Sequence, residues 1–207
     1  MEQSSAVGVS AFTALQALRD QLKVQPGQKV LIIGASGGVG TFAVQIAKSL
    51  GAEVTGVCST RNVEMVRSIG ADDIIDYTKD DFTQSEQKFD AILDNVGKRS
   101  LSDTRRPLAS DGALLSSGAP VSGWFGGLGH VVKASVQSIY KSQQARPFVS
   151  LPNRDDLATL KELAEAGKIT PVIDKSFALS EAPKAMAHVT EGHAQGKTVI
   201  TVQGALE

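Results

Sequence analysis

The residues of this chain best placed to do chemistry lie together in Val30-Leu-Ile-Ile-Gly-Ala-Ser-Gly-Gly-Val-Gly-Thr41. An apolar run breaks into glycines, and Phe42-Ala-Val-Gln-Ile-Ala-Lys-Ser-Leu-Gly51 follows with apolar residues at helical spacing. A strand that turns through glycine into a helix leaves N–H groups unpaired at the positive end of the helix dipole, and such an end attracts phosphate. Ala35-Ser-Gly37-Gly-Val-Gly40 fits the dinucleotide fingerprint with alanine in its first position. In this reading Ser36, Gly37, Gly38 and Val39 form the turn, with Gly37 admitting the pyrophosphate and Gly40 letting the helix pack closely on the strand. The competing reading is a tight strand-to-helix turn with no ligand; the second strand at the right distance favours the nucleotide.

A second cluster bears on which nucleotide. Enzymes that use NAD place an acid at the end of the second strand, about 20 residues on, to hold the ribose 2′-hydroxyl. Here that position reads Cys58-Ser59-Thr60-Arg61, with no acid until Glu64. Two hydroxyls and a guanidinium would accept a 2′-phosphate that a carboxylate would repel, so the sequence favours NADP(H). Ser59, Thr60 and Arg61 would also serve as caps of the following helix, and the two roles coexist.

Other chemistries lack their residues. Zinc needs three or four convergent ligands, and the chain has one cysteine and the histidines His130, His188 and His193. Cys58 reads as a small buried residue at a strand end. Tyr140 is followed by Lys141, with Gln144 at the fourth place, so no Tyr-x-x-x-Lys pair is present. The Gly-x-Ser-x-Gly nucleophile elbow is also missing. Asp90 and Asp94 flank the fourth strand and read as structural. No catalytic residue is assigned.

The elements that must position these residues alternate. Lys29–Gly34, Ala52–Ser59, Asp72–Tyr77, Phe89–Gly97, Gly112–Ala119 and Arg146–Pro152 read as strands, with helices over 39–50 and 61–70 closed by Gly51 and Gly70. Alternation of this kind predicts an α/β fold of Rossmann type: a doubly wound, six-stranded parallel sheet in order 3-2-1-4-5-6 between two helical layers. Residues 1–27 read as a lead-in helix, its apolar pattern running from Ala11 and ended by Pro26-Gly27 ahead of the sheet. Asp155 is the predicted cap of a helix over Asp156–Gly167; an extended stretch, a helix from about Ser180 and a last strand complete a C-terminal extension over 168–207. The whole of 1–207 reads as a single NADP-binding domain. One long irregular stretch, Gly118–Gly129, exposes Trp124 and Phe125 among glycines.

Composition narrows the partners. The 207 residues are 42% hydrophobic, enough for a full core, and 21 basic side chains stand against 22 acidic ones. That balance provides no field for nucleic acid or an anionic membrane. A single cysteine fits a reducing compartment, and no run is long enough to span a bilayer or serve as a secretory signal. The expectation is a soluble, cytoplasmic protein, or one of the mitochondrial matrix in a eukaryote.

Five separated segments carry a resemblance: Gly34–Asn62, Ser68–Phe82, Phe89–Gly97, Gly167–Val172 and Glu191–Ile200. Together they resemble the medium-chain dehydrogenase/reductase superfamily, and within it the zinc-independent quinone oxidoreductases. The resemblance implies that Ser59 and Tyr77 approach the 2′-phosphate, that Asn95 lines the pocket toward ribose and nicotinamide, and that Gly118 belongs to the cofactor contacts. Tyr77 as a half-buried sheet residue, and Asn95-Val-Gly97 as an ordinary turn, are the plain alternatives. Many relatives have an arginine where this chain has Gln195. They also carry a GroES-like catalytic domain ahead of the nucleotide-binding one; this chain begins at the connecting helix, and residues 168–207 would pack toward that domain.

The expected activity is hydride transfer from NADPH to a quinone, enone or similar activated carbonyl once a catalytic domain completes the cleft. The alternative is a non-catalytic NADPH-binding or interaction module, a truncated family member. Relatives suggest a homodimer through the edge strand near Phe148, whose backbone is otherwise unprotected.

Overall fold

A computed structural model describes residues 2–116, 150–192 and 194–202. Its centre is a parallel sheet of five strands: β1 (Lys29–Ile33), β2 (Glu53–Cys58), β3 (Asp73–Asp76), β4 (Phe89–Asp94) and β5 (Leu108–Ser116), ordered β3-β2-β1-β4-β5. The first five expected strands are therefore present, in the expected order. The sixth, over 146–152, reaches into residues outside the described ones, as do the edge at Phe148, the 118–129 loop and Gly118.

The apolar run of β1 divides between two cores because successive side chains on a strand point to opposite faces. Val30 and Ile32 join Phe42, Ile46, Val54 and Leu93 on one face. Leu31 and Ile33 join Val57, Phe89, Ile92 and Leu114 on the other. Val30, Leu31 and Ile32 are all fully buried, which contributes about 1.5–3 kcal/mol for each side chain. A strand covered on both faces has no polar side, which explains the unbroken apolar run.

Helix α1 (Glu2–Gln16) is kinked at Gly8 and passes into a π-helical turn at Ala17–Gln21; it packs on α2 (Gly40–Ser49). It thus starts earlier than its apolar pattern announces. Helices α3 (Val63–Ser68) and α4 (Leu101–Thr104) are short, and α5 (Arg154–Glu165) lies against α1. The cap of α5 is Asn153, not Asp155: the Asn153 backbone is extended, and its side-chain oxygen accepts from the Asp156 N–H at 2.9 Å. A buried junction fixes α5 to the end of α1. The Asp156 carboxylate accepts from Gln16 Nε2 (2.6 Å), Arg19 Nη2 (2.6 Å) and Asn153 Nδ2 (2.7 Å).

The C-terminal segment forms a unit of its own. Strand β6 (Ile173–Ala178), helix α6 (Ala182–Thr190) and strand β7 (Lys197–Thr201) make a two-stranded parallel sheet with a crossover helix. Its start is tied to the main domain through Gln45, which donates to the Thr170 carbonyl (3.0 Å) and accepts from the Thr170 N–H (2.7 Å). No helix among the described residues is long and apolar enough to cross a membrane.

Candidate functional site

Strand order reverses beside β1, since β2 and β3 lie on one side and β4 on the other. β1 and β4 stay paired to Ile33 and Asp94, and the connections that follow them part, so a cleft opens beyond their carboxyl ends. The Asn95 N–H closes the end of this pair by donating to the Ile33 carbonyl at 3.1 Å. Beyond it, Gly34 turns with φ +77°, and a Cβ there would lie 2.7 Å from Val96 Cγ2. Only glycine combines that conformation with that approach. The N–H groups of Gly34 and Ala35 both donate to the Val57 carbonyl, which hangs the turn from β2.

Helix α2 begins immediately after the turn, with no side-chain cap and no acid in its first turn. Among the described residues, the N–H groups of Gly38 and Val39 have no hydrogen-bond partner. Gly40 sits under the turn so closely that a Cβ would fall 2.0 Å from the Gly34 carbonyl oxygen. The result is a cradle of backbone donors at a positive helix end, the arrangement that fits a pyrophosphate.

The cleft in front measures about 690 Å³, within the range of cofactor pockets. Of the residues singled out by sequence, Ser36, Gly37, Gly38, Val39, Ser59, Arg61, Tyr77 and Asn95 line it. Tyr77 is 61% exposed, so its ring is not a half-buried sheet residue. Thr60 is turned away: its hydroxyl donates to Asp76 Oδ2 at 2.5 Å and lies 2.9 Å from the Thr78 hydroxyl. These contacts, the Thr60 bond first, hold the Asp76 carboxyl down to about 2. Gly118 lies outside the described residues.

Asp94 and Asp90 have structural partners. Asp94 Oδ1 accepts from the N–H groups of Val96 and Gly97, both at 2.9 Å, and so shapes the loop after β4; Asp90 accepts from the Lys29 N–H at 2.8 Å.

Sequence reasoning missed Asn62. It is buried, lines the cleft, and its amide donates to Ser36 Oγ (2.9 Å) and Ser59 Oγ (3.2 Å). Its own oxygen accepts from Gln195 Nε2 at 2.7 Å. The loop before β7 is thus stapled over the glycine turn, with one further bond from the Gly196 N–H to the Ser36 carbonyl (2.8 Å), while Lys197 Nζ, at the start of β7, donates to Ser10 Oγ of α1 (3.0 Å). Burial lowers the pKa of the Lys197 ammonium. The only sequence signal for Asn62 is its place in the same turn as Ser59.

Fold and cleft together define a Rossmann-type α/β domain with a phosphate-sized cradle at the switch point of its sheet. Residues 69–200 match the family model described as zinc-binding dehydrogenase. The chain is 40% identical over 202 residues to NAD(P)H oxidoreductase RTN4IP1, mitochondrial, of Bos taurus, covering 85% of this chain and 48% of that protein. It is 34% identical to the chloroplast envelope quinone oxidoreductase homolog of Arabidopsis thaliana, covering 96% of this chain and 61% of that one. The solved quinone oxidoreductase from Coxiella burnetii superposes with a TM-score of 0.84 at 31% identity, over 97% of this chain and 61% of the other. The chain belongs to the zinc-binding dehydrogenase family, within the medium-chain dehydrogenase/reductase superfamily, and corresponds to its nucleotide-binding part. It spans about half the length of the mitochondrial relative.

The described donors do not suit the metal in the family's description. No group of three His, Cys, Asp or Glu among them is placed to hold an ion. Cys58 is buried at the end of β2, with no second cysteine or histidine ligand grouped with it among the described residues. His188 lies 2.6 Å from Asp174, away from the cleft.

Proposed function

We propose that this chain is the NADP(H)-binding part of an oxidoreductase that reduces quinones, enones or other activated carbonyl compounds. One observation carries the reading: a cleft at the strand-order reversal has a backbone phosphate cradle at one wall and Ser59 with Arg61 just after β2, where the end of β2 itself supplies no acid. The acids nearby, Asp80 and Asp81, follow β3, and Asp76 is engaged by Thr60. When bound, the nicotinamide would supply the hydride. The chain's own residues bind and orient. Gly38 and Val39 would donate to the pyrophosphate, and Ser59, Arg61 and Tyr77 would face the 2′-phosphate. Asn95, just beyond the paired ends of β1 and β4, would flank the nicotinamide ribose and keep water from one side of it. The relatives' printed activities, NAD(P)H and quinone oxidoreduction, support the same reaction class. A cytoplasmic or matrix location belongs to this reading, with the buried, protonated Cys58 in keeping with it.

Calorimetric titration with NADPH and NADH tests it. Binding that prefers NADPH supports the reading, and binding of neither overturns it. A steady-state assay with a quinone or enone then separates an enzyme from a binding module, which would consume no NADPH.

A further inference from the structure

We propose that Asn62 is a positioning residue that sets the hydroxyls of Ser36 and Ser59 as donors toward phosphate, and that Gln195 sets Asn62 in turn. The inference rests on the nucleotide reading above and deepens it.

The argument is one of hydrogen-bond polarity. A primary amide has two N–H donors on nitrogen and one acceptor oxygen. The oxygen of Asn62 accepts from Gln195 Nε2 at 2.7 Å, so the amide nitrogen must face the other way. There it meets two hydroxyl oxygens, Ser36 Oγ at 2.9 Å and Ser59 Oγ at 3.2 Å, and donates to both. Each serine oxygen is then already accepting, and each retains one proton that cannot return to Asn62. Among the described residues neither hydroxyl proton has a protein acceptor. Both serines line the cleft. A free hydroxyl rotates to suit its neighbours; these two are held with their protons available to an acceptor in the cleft. A phosphate oxygen is such an acceptor, and the donation is then charge-assisted.

The network joins two neighbouring parts of the cleft wall. Ser36 belongs to the glycine turn before α2 and Ser59 to the end of β2, so one buried neutral amide would prepare the pyrophosphate and the 2′-phosphate subsites together. Because Asn62 is 5% exposed, its own amide is shielded from water, and the contact with Gln195 sets which way it faces.

Titrating the full chain with NADPH and with NADH, as wild type and as Asn62→Ala, Asn62→Asp and Gln195→Met, tests the proposal. An aspartate at 62 accepts both serine protons, so NADPH binding should fall more than about 100-fold. The alanine and Gln195→Met variants should lose about tenfold in NADPH affinity and less in NADH affinity, since NADPH uses both hydroxyls and NADH only that of Ser36. The decisive readout is this change in the NADPH-to-NADH ratio. An equal loss of both cofactors with a lowered melting temperature, or no change in the ratio, overturns the proposal while leaving the nucleotide reading intact. Wild type that binds neither cofactor overturns both. If the Asn62 variants do not fold, Gln195→Met, at a half-buried loop position, decides the matter by the same ratio.

Discussion

Gly40 lies directly beneath Gly34, and a Cβ on Gly40 would meet the Gly34 carbonyl oxygen at 2.0 Å and the Ala35 Cα at 2.8 Å. Both obstacles are backbone, so no rotamer change relieves them. Gly40→Ala should destabilise the fold by about 3 kcal/mol or more, read as a fall in the urea midpoint, and should weaken nucleotide binding because the turn must lift. An unchanged midpoint would show that the turn and α2 can move apart freely.

On the proposed NADP(H) reading, the residues after β2 should govern the choice between NADPH and NADH. Arg61→Ala should weaken NADPH about tenfold and leave NADH nearly unaffected. Ser59→Asp places a carboxylate where NAD enzymes carry one, and should reverse the preference. Paired titrations of each variant check this; a parallel loss of both cofactors would place the 2′-phosphate elsewhere.

Acid should unfold the protein in a defined window. Asp76 is held at about 2 against an ordinary 3.8, chiefly by the Thr60 hydroxyl. A carboxyl with a depressed folded-state pKa contributes stability that is present above the unfolded value and lost as pH falls toward the folded one. The loss therefore begins below about pH 4 and continues to about pH 2. Asp156 acts in the same direction: burial opposes its charge, but Gln16, Arg19 and Asn153 outweigh that and lower its pKa. Melting temperatures from pH 6 to pH 2 should drop through this window, and Thr60→Val should flatten the drop. A Thr60→Val profile parallel to wild type would refute the assignment.

Cys58 should resist thiol reagents. Its pKa of about 11 against a usual 9.0 lowers the thiolate fraction roughly a hundredfold near pH 8, and its 1% exposure blocks access as well. Disulfide-exchange reagents should react at least that much faster in urea than in buffer. Comparable rates would mean that β2 opens at its end.

Much of this architecture could be read from the chain because it is local. Apolar runs such as Val30–Ile33 mark strands buried on two faces, and the glycine turn announces both β1 and α2. What escaped depends on distance or on backbone geometry. The Asn62 partners Ser36 and Gln195 are 26 and 133 residues away, and an asparagine offers no sign of which hydroxyls it will meet. Thr60 reads as a phosphate ligand until its hydroxyl is seen to donate its hydrogen bond to Asp76, 16 residues on. Asn153 and Asp155 are equally good caps by residue type, and only the extended backbone of Asn153 decides between them. The pairing of β6 with β7 was hidden because both strands are short and partly polar.

The bond from the Gly196 N–H to the Ser36 carbonyl has a consequence for synthesis on the ribosome. Ser36 of the glycine turn is translated well before Gly196, so the staple that fixes the turn arrives only once β7 is being made. A nascent chain can assemble the five-stranded sheet and still lack the groups that hold Ser36 and Asn62 in place. Cofactor capture would therefore coincide with completion of the C-terminal segment, and a chain cut short before Gln195 would fold its sheet around an unfinished cleft.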